Sequence, residues 1–107
     1  RASNASFRNA HLNQANLLEA NLRGADLSQA NLSRAYLGGA NLQNAIVAGA
    51  VFQNTSLNGA NLQHLDLTDL DLTSANLRNA RLGGAVFCRT KTAWGQEDAG
   101  CPDQPDN

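Results

Sequence analysis

The sequence predicts an all-β coil, wound from short extended pieces that meet at regular corners. Three observations predict it: a repeat of period five, a large apolar residue at the centre of every unit, and a small residue two places earlier. The register runs unbroken from Ala5 to Arg89, 85 residues in 17 units, as in Ala15-Asn16-Leu17-Leu18-Glu19 followed by Ala20-Asn21-Leu22-Arg23-Gly24. The central site, from Phe7 to Phe87, holds thirteen Leu, three Phe and one Val, so a single uninterrupted apolar row runs through the repeat. The site two residues earlier holds fourteen Ala, with Thr55, Leu65 and Leu70 as exceptions, and therefore wants a small side chain.

A period of five cannot be a long helix. At 100° per residue, successive central residues turn by about 140° and spread around the whole circumference. A continuous strand fails as well, because five is odd and a two-residue pleat would send alternate Leu side chains to opposite faces. Direction must reset in every unit. An extended Ala-x-Leu piece with Ala and Leu on one face, followed by a corner, satisfies both constraints, and each unit becomes one side of a coil. The last position of the unit carries Gly at 24, 39, 49, 59 and 84 and Asn at 9, 44, 54 and 79, residues that tolerate the positive φ of a tight turn.

The run Ala-(Asn/Asp)-Leu-x-x resembles the tandem signature of the pentapeptide repeat family, over about four fifths of the chain. The resemblance implies a right-handed quadrilateral β-helix with four units per turn. The 17 units then make slightly more than four coils, a rod about 20 Å long at ~4.8 Å between stacked strands. One interior column would be Phe7, Leu27, Val47, Leu67 and Phe87, and the next Leu12, Leu32, Phe52 and Leu72. Phe7 and Phe87 are expected as plugs at the two ends, and Val47 beside Phe52 as a volume compensation within one layer. Leu65 and Leu70 overfill the small site, so the coil from 65 to 84 is expected to expand or bulge, with no functional meaning required.

Function must lie on the outward positions or in the tail. Asn or Asp precedes the central residue in nine units, where these side chains can form ladders or bond local backbone. Tyr36, Ile46, Val51 and Val86 are apolar departures at that site, with Ile46 and Val51 consecutive across one corner, and form a candidate interaction patch. Asp66, Asp69 and Asp71 do not match a calcium loop. Arg89 and Lys91 stand twenty residues after Asp69 and Asp71, which predicts surface ion pairs. His11 and His64 fall on different sides of the coil, so no metal site is expected. Nor does any Ser or Cys stand in a nucleophile motif with an acid and a base in line. No catalytic residue and no cofactor is expected.

Aromatic residues are 5% of the chain, so the core is aliphatic and wide aromatic ligand pockets are disfavoured. A net charge of −1 offers no basic stripe for nucleic acid. No apolar run approaches the roughly 20 residues of a membrane span, so no membrane insertion is expected. The chain begins at Arg1 and has no Met, which fits a trimmed start or a removed leader.

Composition shifts after Arg89, dividing the chain into a lead-in at 1–4, a repeat body at 5–89, and a cap with an acidic tail at 90–107. All eight basic residues precede Ala93, against five of the nine acids, so residues 1–92 carry +3 and residues 93–107 carry −4. Pro102, Pro105 and the single Trp94 lie in the tail. An open solenoid end needs a cap, and Trp94 is expected to be buried as a lid near Phe87. Cys88 and Cys101 lack further ligands for zinc. A disulfide stapling the cap is the preferred reading, with two reduced thiols in a cytosolic protein as the alternative. The ending resembles that of cyanobacterial family members, some of them exported, which implies the periplasm or thylakoid lumen rather than the cytoplasm.

These features point to a non-enzymatic structural or interaction scaffold with an unidentified protein partner, monomeric in preference to dimeric. The alternative is suggested by the resemblance, since one family branch mimics DNA and binds type II topoisomerases. The short rod and the positive repeat body argue against it.

Overall fold

The protein, described here as a computed structural model over residues 3–98 and Cys101, is a four-sided coil of stacked turns. Arg1, Ala2, Pro102, Asp103, Pro105 and Asp106 lie outside the described residues. Each corner is closed by the small-site N–H donating to the carbonyl of the central residue three positions earlier, as Ala30 does to Leu27 at 3.0 Å. The second of the two residues between them takes φ of 55° to 73° at every such corner except that of Ser74, the mark of a type II turn. Gly and Asn were the expected occupants, yet Gln14, Glu19, Gln29, Arg34, His64 and Asp69 adopt the same conformation. Such a residue costs about 1 kcal/mol or more. The backbone ladder on either side holds it in place.

Adjacent coils pair in parallel at a spacing of twenty residues, for example Ser6 with Asp26 and Asp26 with Ile46. Leu27 N–H donates to the Ile46 carbonyl at 2.7 Å, and Ile46 N–H returns to the Ala25 carbonyl at 2.9 Å. Four corners per twenty residues produce the quadrilateral section. The central and small sites face inward, and Leu22, Leu27, Leu32, Leu37, Leu42, Leu57, Leu62, Leu67 and Leu72 are fully buried. Phe7 and Phe87 occupy the first and last layers, partly buried against this core.

The ladder is interrupted in one place. Between residues 45–54 and 65–74 the N–H groups of Val47, Gly49, Phe52, Asp66 and Asp71 make no backbone hydrogen bond. The equivalent groups in the other coils are paired. Leu65 and Leu70 supply the reason: both are buried, at 0% and 3% exposure, in sites that elsewhere hold Ala. A filled interior has no room for two extra isobutyl groups, and the coils separate on the two sides that carry them. The corner bonds stretch too, to 3.4 Å at Leu65 and 3.2 Å at Leu70. Expansion was expected across 65 to 84. It stops earlier, since Leu57 and Leu62 still donate to Asn76 and Arg81 at 2.8 Å.

The last coil ends in β1 (Thr90–Thr92), which forms an antiparallel hairpin with β2 (Gly95–Glu97). Lys91 still pairs with Asp71 below it. Ala93 and Trp94 form the hairpin tip, so Trp94 is carried away from the core and is 56% exposed. This corrects the expectation of a buried Trp94 lid. Its indole N–H donates instead to Glu97 Oε2 at 2.7 Å. The buried residues at this end are Cys88, Thr90 and Thr92.

Candidate interaction surface

The outward Asn and Asp residues bond locally. The Oδ1 atoms of Asn16, Asn21, Asp26, Asn31, Asn41, Asn61, Asp66, Asp71 and Asn76 each accept the N–H two residues on, at 2.9 to 3.2 Å. These Asx bonds brace the entry to each corner. Of the two uses the sequence allowed, the local one is adopted.

Four apolar side chains depart from this pattern, and the structure brings only two together. Ile46 and Val51 lie on adjacent sides of one coil, 51% and 41% exposed. Tyr36 is exposed on the side opposite Ile46. Val86 shares the Ile46 column but stands two coils away, beyond Asp66. The coherent patch is therefore Ile46 with Val51.

That pair sits at the mouth of the ladder break. On the Val51 side the break opens a crevice of about 420 Å3 lined by residues that include Phe52, Asp69, Leu70 and Asp71. Around the corner, a second space of about 320 Å3 is lined by residues that include Ile46, Val47, His64 and Asp66. One end is pinned where Asn54 N–H donates to Ser74 Oγ at 2.9 Å. At the other, Asn44 N–H reaches the Gln63 carbonyl at a stretched 3.4 Å. The patch was legible as two apolar residues. The crevice was missed, although Leu65 and Leu70 in small sites were its signal.

The acids above the crevice have different partners. Arg89 binds Asp69 through two bonds, at 2.6 and 3.2 Å, and its guanidinium lowers the Asp69 pKa. Asp71 makes no ion pair with Lys91. Its pKa is lowered chiefly by hydrogen bonds from the Thr73 hydroxyl and N–H, with a smaller contribution from the Lys91 charge. Asp66 accepts from Thr68 N–H and hydroxyl. Arg8 pairs with Asp26 at 3.4 Å. Among the described residues no group of three or more His, Cys, Asp or Glu side chains is placed to hold a metal ion.

At the capped end Cys88 and Cys101 are joined as a disulfide. It ties the residue after Phe87 to the chain beyond the hairpin.

The pentapeptide repeats family model matches in eight copies, over residues 3–39, 35–73 and 71–91. The chain belongs to the pentapeptide repeat family. Its four-sided coil is the right-handed quadrilateral β-helix of that family. A pentapeptide repeat protein from the cyanobacterium Cyanothece 51142 is 38% identical with a TM-score of 0.74, over 77% of this chain and 56% of that one. Another, from Nostoc, is 39% identical with a TM-score of 0.70, over 72% of this chain and 64% of its own. This chain thus spans less than two thirds of both. A pentapeptide repeat protein from the Arabidopsis thaliana thylakoid lumen shares the fold at 20% identity and a TM-score of 0.64, covering 99% of this chain and 71% of that one. No curated protein matches the chain in sequence. No helix is long and apolar enough to cross a membrane among the described residues.

Proposed function

We propose that the chain is a non-enzymatic scaffold that holds a protein partner against one edge of its solenoid. The observation that carries this reading is the exposed pair Ile46 and Val51, set across a single corner at the mouth of the crevice. Neighbouring exposed apolar groups, at outward sites that in most units hold Asn, Asp or Ser, favour a macromolecular contact. Catalysis has no candidate nucleophile, base or acid in line. The disulfide supports an oxidising compartment, the periplasm or thylakoid lumen. A monomer is the proposed state.

Affinity capture with cross-linking tests the reading, comparing the native chain with an Ile46→Asp, Val51→Asp variant that retains the core. A partner retained by the native chain and lost by the variant supports the scaffold and its surface. A partner retained by both removes the patch, and none for either overturns the interaction reading. The DNA-mimic alternative requires an acidic rod, whereas residues 1–92 carry +3. A topoisomerase supercoiling assay separates the two, with no inhibition expected at micromolar protein.

A further inference from the structure

We propose that the crevice between residues 45–54 and 65–74 binds an extended, basic segment of a partner protein by strand addition. The proposal rests on the scaffold reading above and assigns it a site and a partner class.

The backbone supplies the first argument. Val47, Gly49 and Phe52 present free N–H groups from one lip, and Asp66 and Asp71 present theirs from the other. The Ala45 and Ala50 carbonyls likewise lack the donors that Ala25 and Ala30 receive from the coil above them. A parallel ladder that is complete elsewhere is here left with two unpaired edges. Extended peptides recognise such edges through main-chain hydrogen bonds. The solenoid ends also expose edges; in the crevice the edges face a space lined by side chains. Its two parts, about 420 and 320 Å3, each lie within the roughly 300–1,000 Å3 of typical binding clefts.

Side chains define the occupant. Ile46 and Val51 stand on the lower lip, and Asp66 and Asp71 stand twenty residues later at the same two columns on the upper lip. An apolar step beneath a carboxylate suits Lys or Arg, whose alkyl stem lies on the former while the charge reaches the latter. Charge distribution agrees. Residues 1–92 carry +3, yet three of their five acids, Asp66, Asp69 and Asp71, border this crevice. Arg89 neutralises Asp69, while Asp66 and Asp71 make no ion pair among the described residues. The site therefore attracts a cationic strand and repels nucleic acid or an acidic peptide.

The test uses the isotope-labelled chain and two synthetic peptides of about eight residues, one alternating Lys and Val and the other Glu and Val. In the free chain the amides of Val47, Phe52, Asp66 and Asp71 should exchange at least about tenfold faster than those of Leu27, Leu32, Ile46 and Val51, which are bonded at the same columns. The Lys-Val peptide should shift and protect those four amides, and the Glu-Val peptide should not. N-methylation of alternate peptide nitrogens should abolish the effect. An Asp66→Asn, Asp71→Asn variant keeps the Oδ1 acceptors for Thr68 and Thr73. It should melt like the native chain and bind the Lys-Val peptide about tenfold more weakly. The proposal is overturned by protected amides in the free chain, by shifts outside residues 45–74, or by no shift at all. Equal response to the Glu-Val peptide, or equal affinity in the variant, overturns it too. If it fails while the native chain still captures a partner through Ile46 and Val51, the scaffold reading survives with a different site; if capture also fails, both are lost.

Discussion

The Thr90 hydroxyl donates to the Leu67 carbonyl at 2.8 Å and fastens the last coil to the one beneath it. The same oxygen accepts Cys88 N–H at 3.0 Å, so one buried group satisfies two partners. Thr55 makes the first contact, to Leu32 at 2.7 Å, without receiving a backbone N–H. Thr90→Val orphans a buried donor and should cost about 1–3 kcal/mol, while Thr55→Val should cost about 1 kcal/mol. Urea unfolding of the two variants gives the comparison. Equal losses would contradict the bridging role of Thr90.

Leu70→Ala should behave unlike an ordinary core truncation. Removing Leu37, within a complete ladder, should cost about 2–5 kcal/mol. Leu70→Ala loses comparable apolar burial but lets the Asp71 and Phe52 amides approach their partners across the break. Its cost should be smaller by about 1 kcal/mol or more. Hydrogen exchange should show Phe52 and Asp71 newly protected. An undiminished cost with both amides still unprotected would show that Leu70 does not hold the coils apart.

Reduction of the Cys88–Cys101 disulfide should loosen the capped end first. The cysteines stand 13 positions apart in sequence, and a loop of that size contributes about 3 kcal/mol in the chain-entropy model. Melting with and without reductant should show the drop. Amide protection should be lost in β1 and β2 before it is lost at Leu27 or Leu32.

Acid should weaken the fold through its carboxylates. The Arg89 guanidinium lowers the Asp69 pKa below its ordinary value of 3.8. The Ser28 hydroxyl, then the Ser28 N–H, do the same for Asp26, as the Thr73 hydroxyl and N–H do for Asp71. A carboxylate depressed in the folded state stabilises it above the unfolded value, and that contribution is lost as pH falls through the lower folded value. The melting temperature should thus fall below about pH 4, and Asp69→Asn should flatten part of the decline. The groups are exposed, so the effect is small and salt-sensitive.

Much of this was legible because each unit repeats the same local constraint. Phe7, Leu27 and Leu67 face inward for reasons contained in five residues, and Gly24 or Asn44 marks a corner without reference to anything distant. Gln29 and Arg34 carried no such mark, because their positive φ is imposed by ladders above and below. Trp94 was misplaced for a related reason. Its large apolar surface suggested a lid, but the hairpin register of β1 and β2 puts it at the tip.

The sequence by itself determined the period, the inward rows and the four-residue corners, since all three follow from pleat and turn geometry within a single unit. Only the tertiary structure decided where the ladder opens. Leu65 and Leu70 act through a filled interior on residues twenty positions away, and whether that volume spreads evenly or splits two coils depends on the packing of every layer at once.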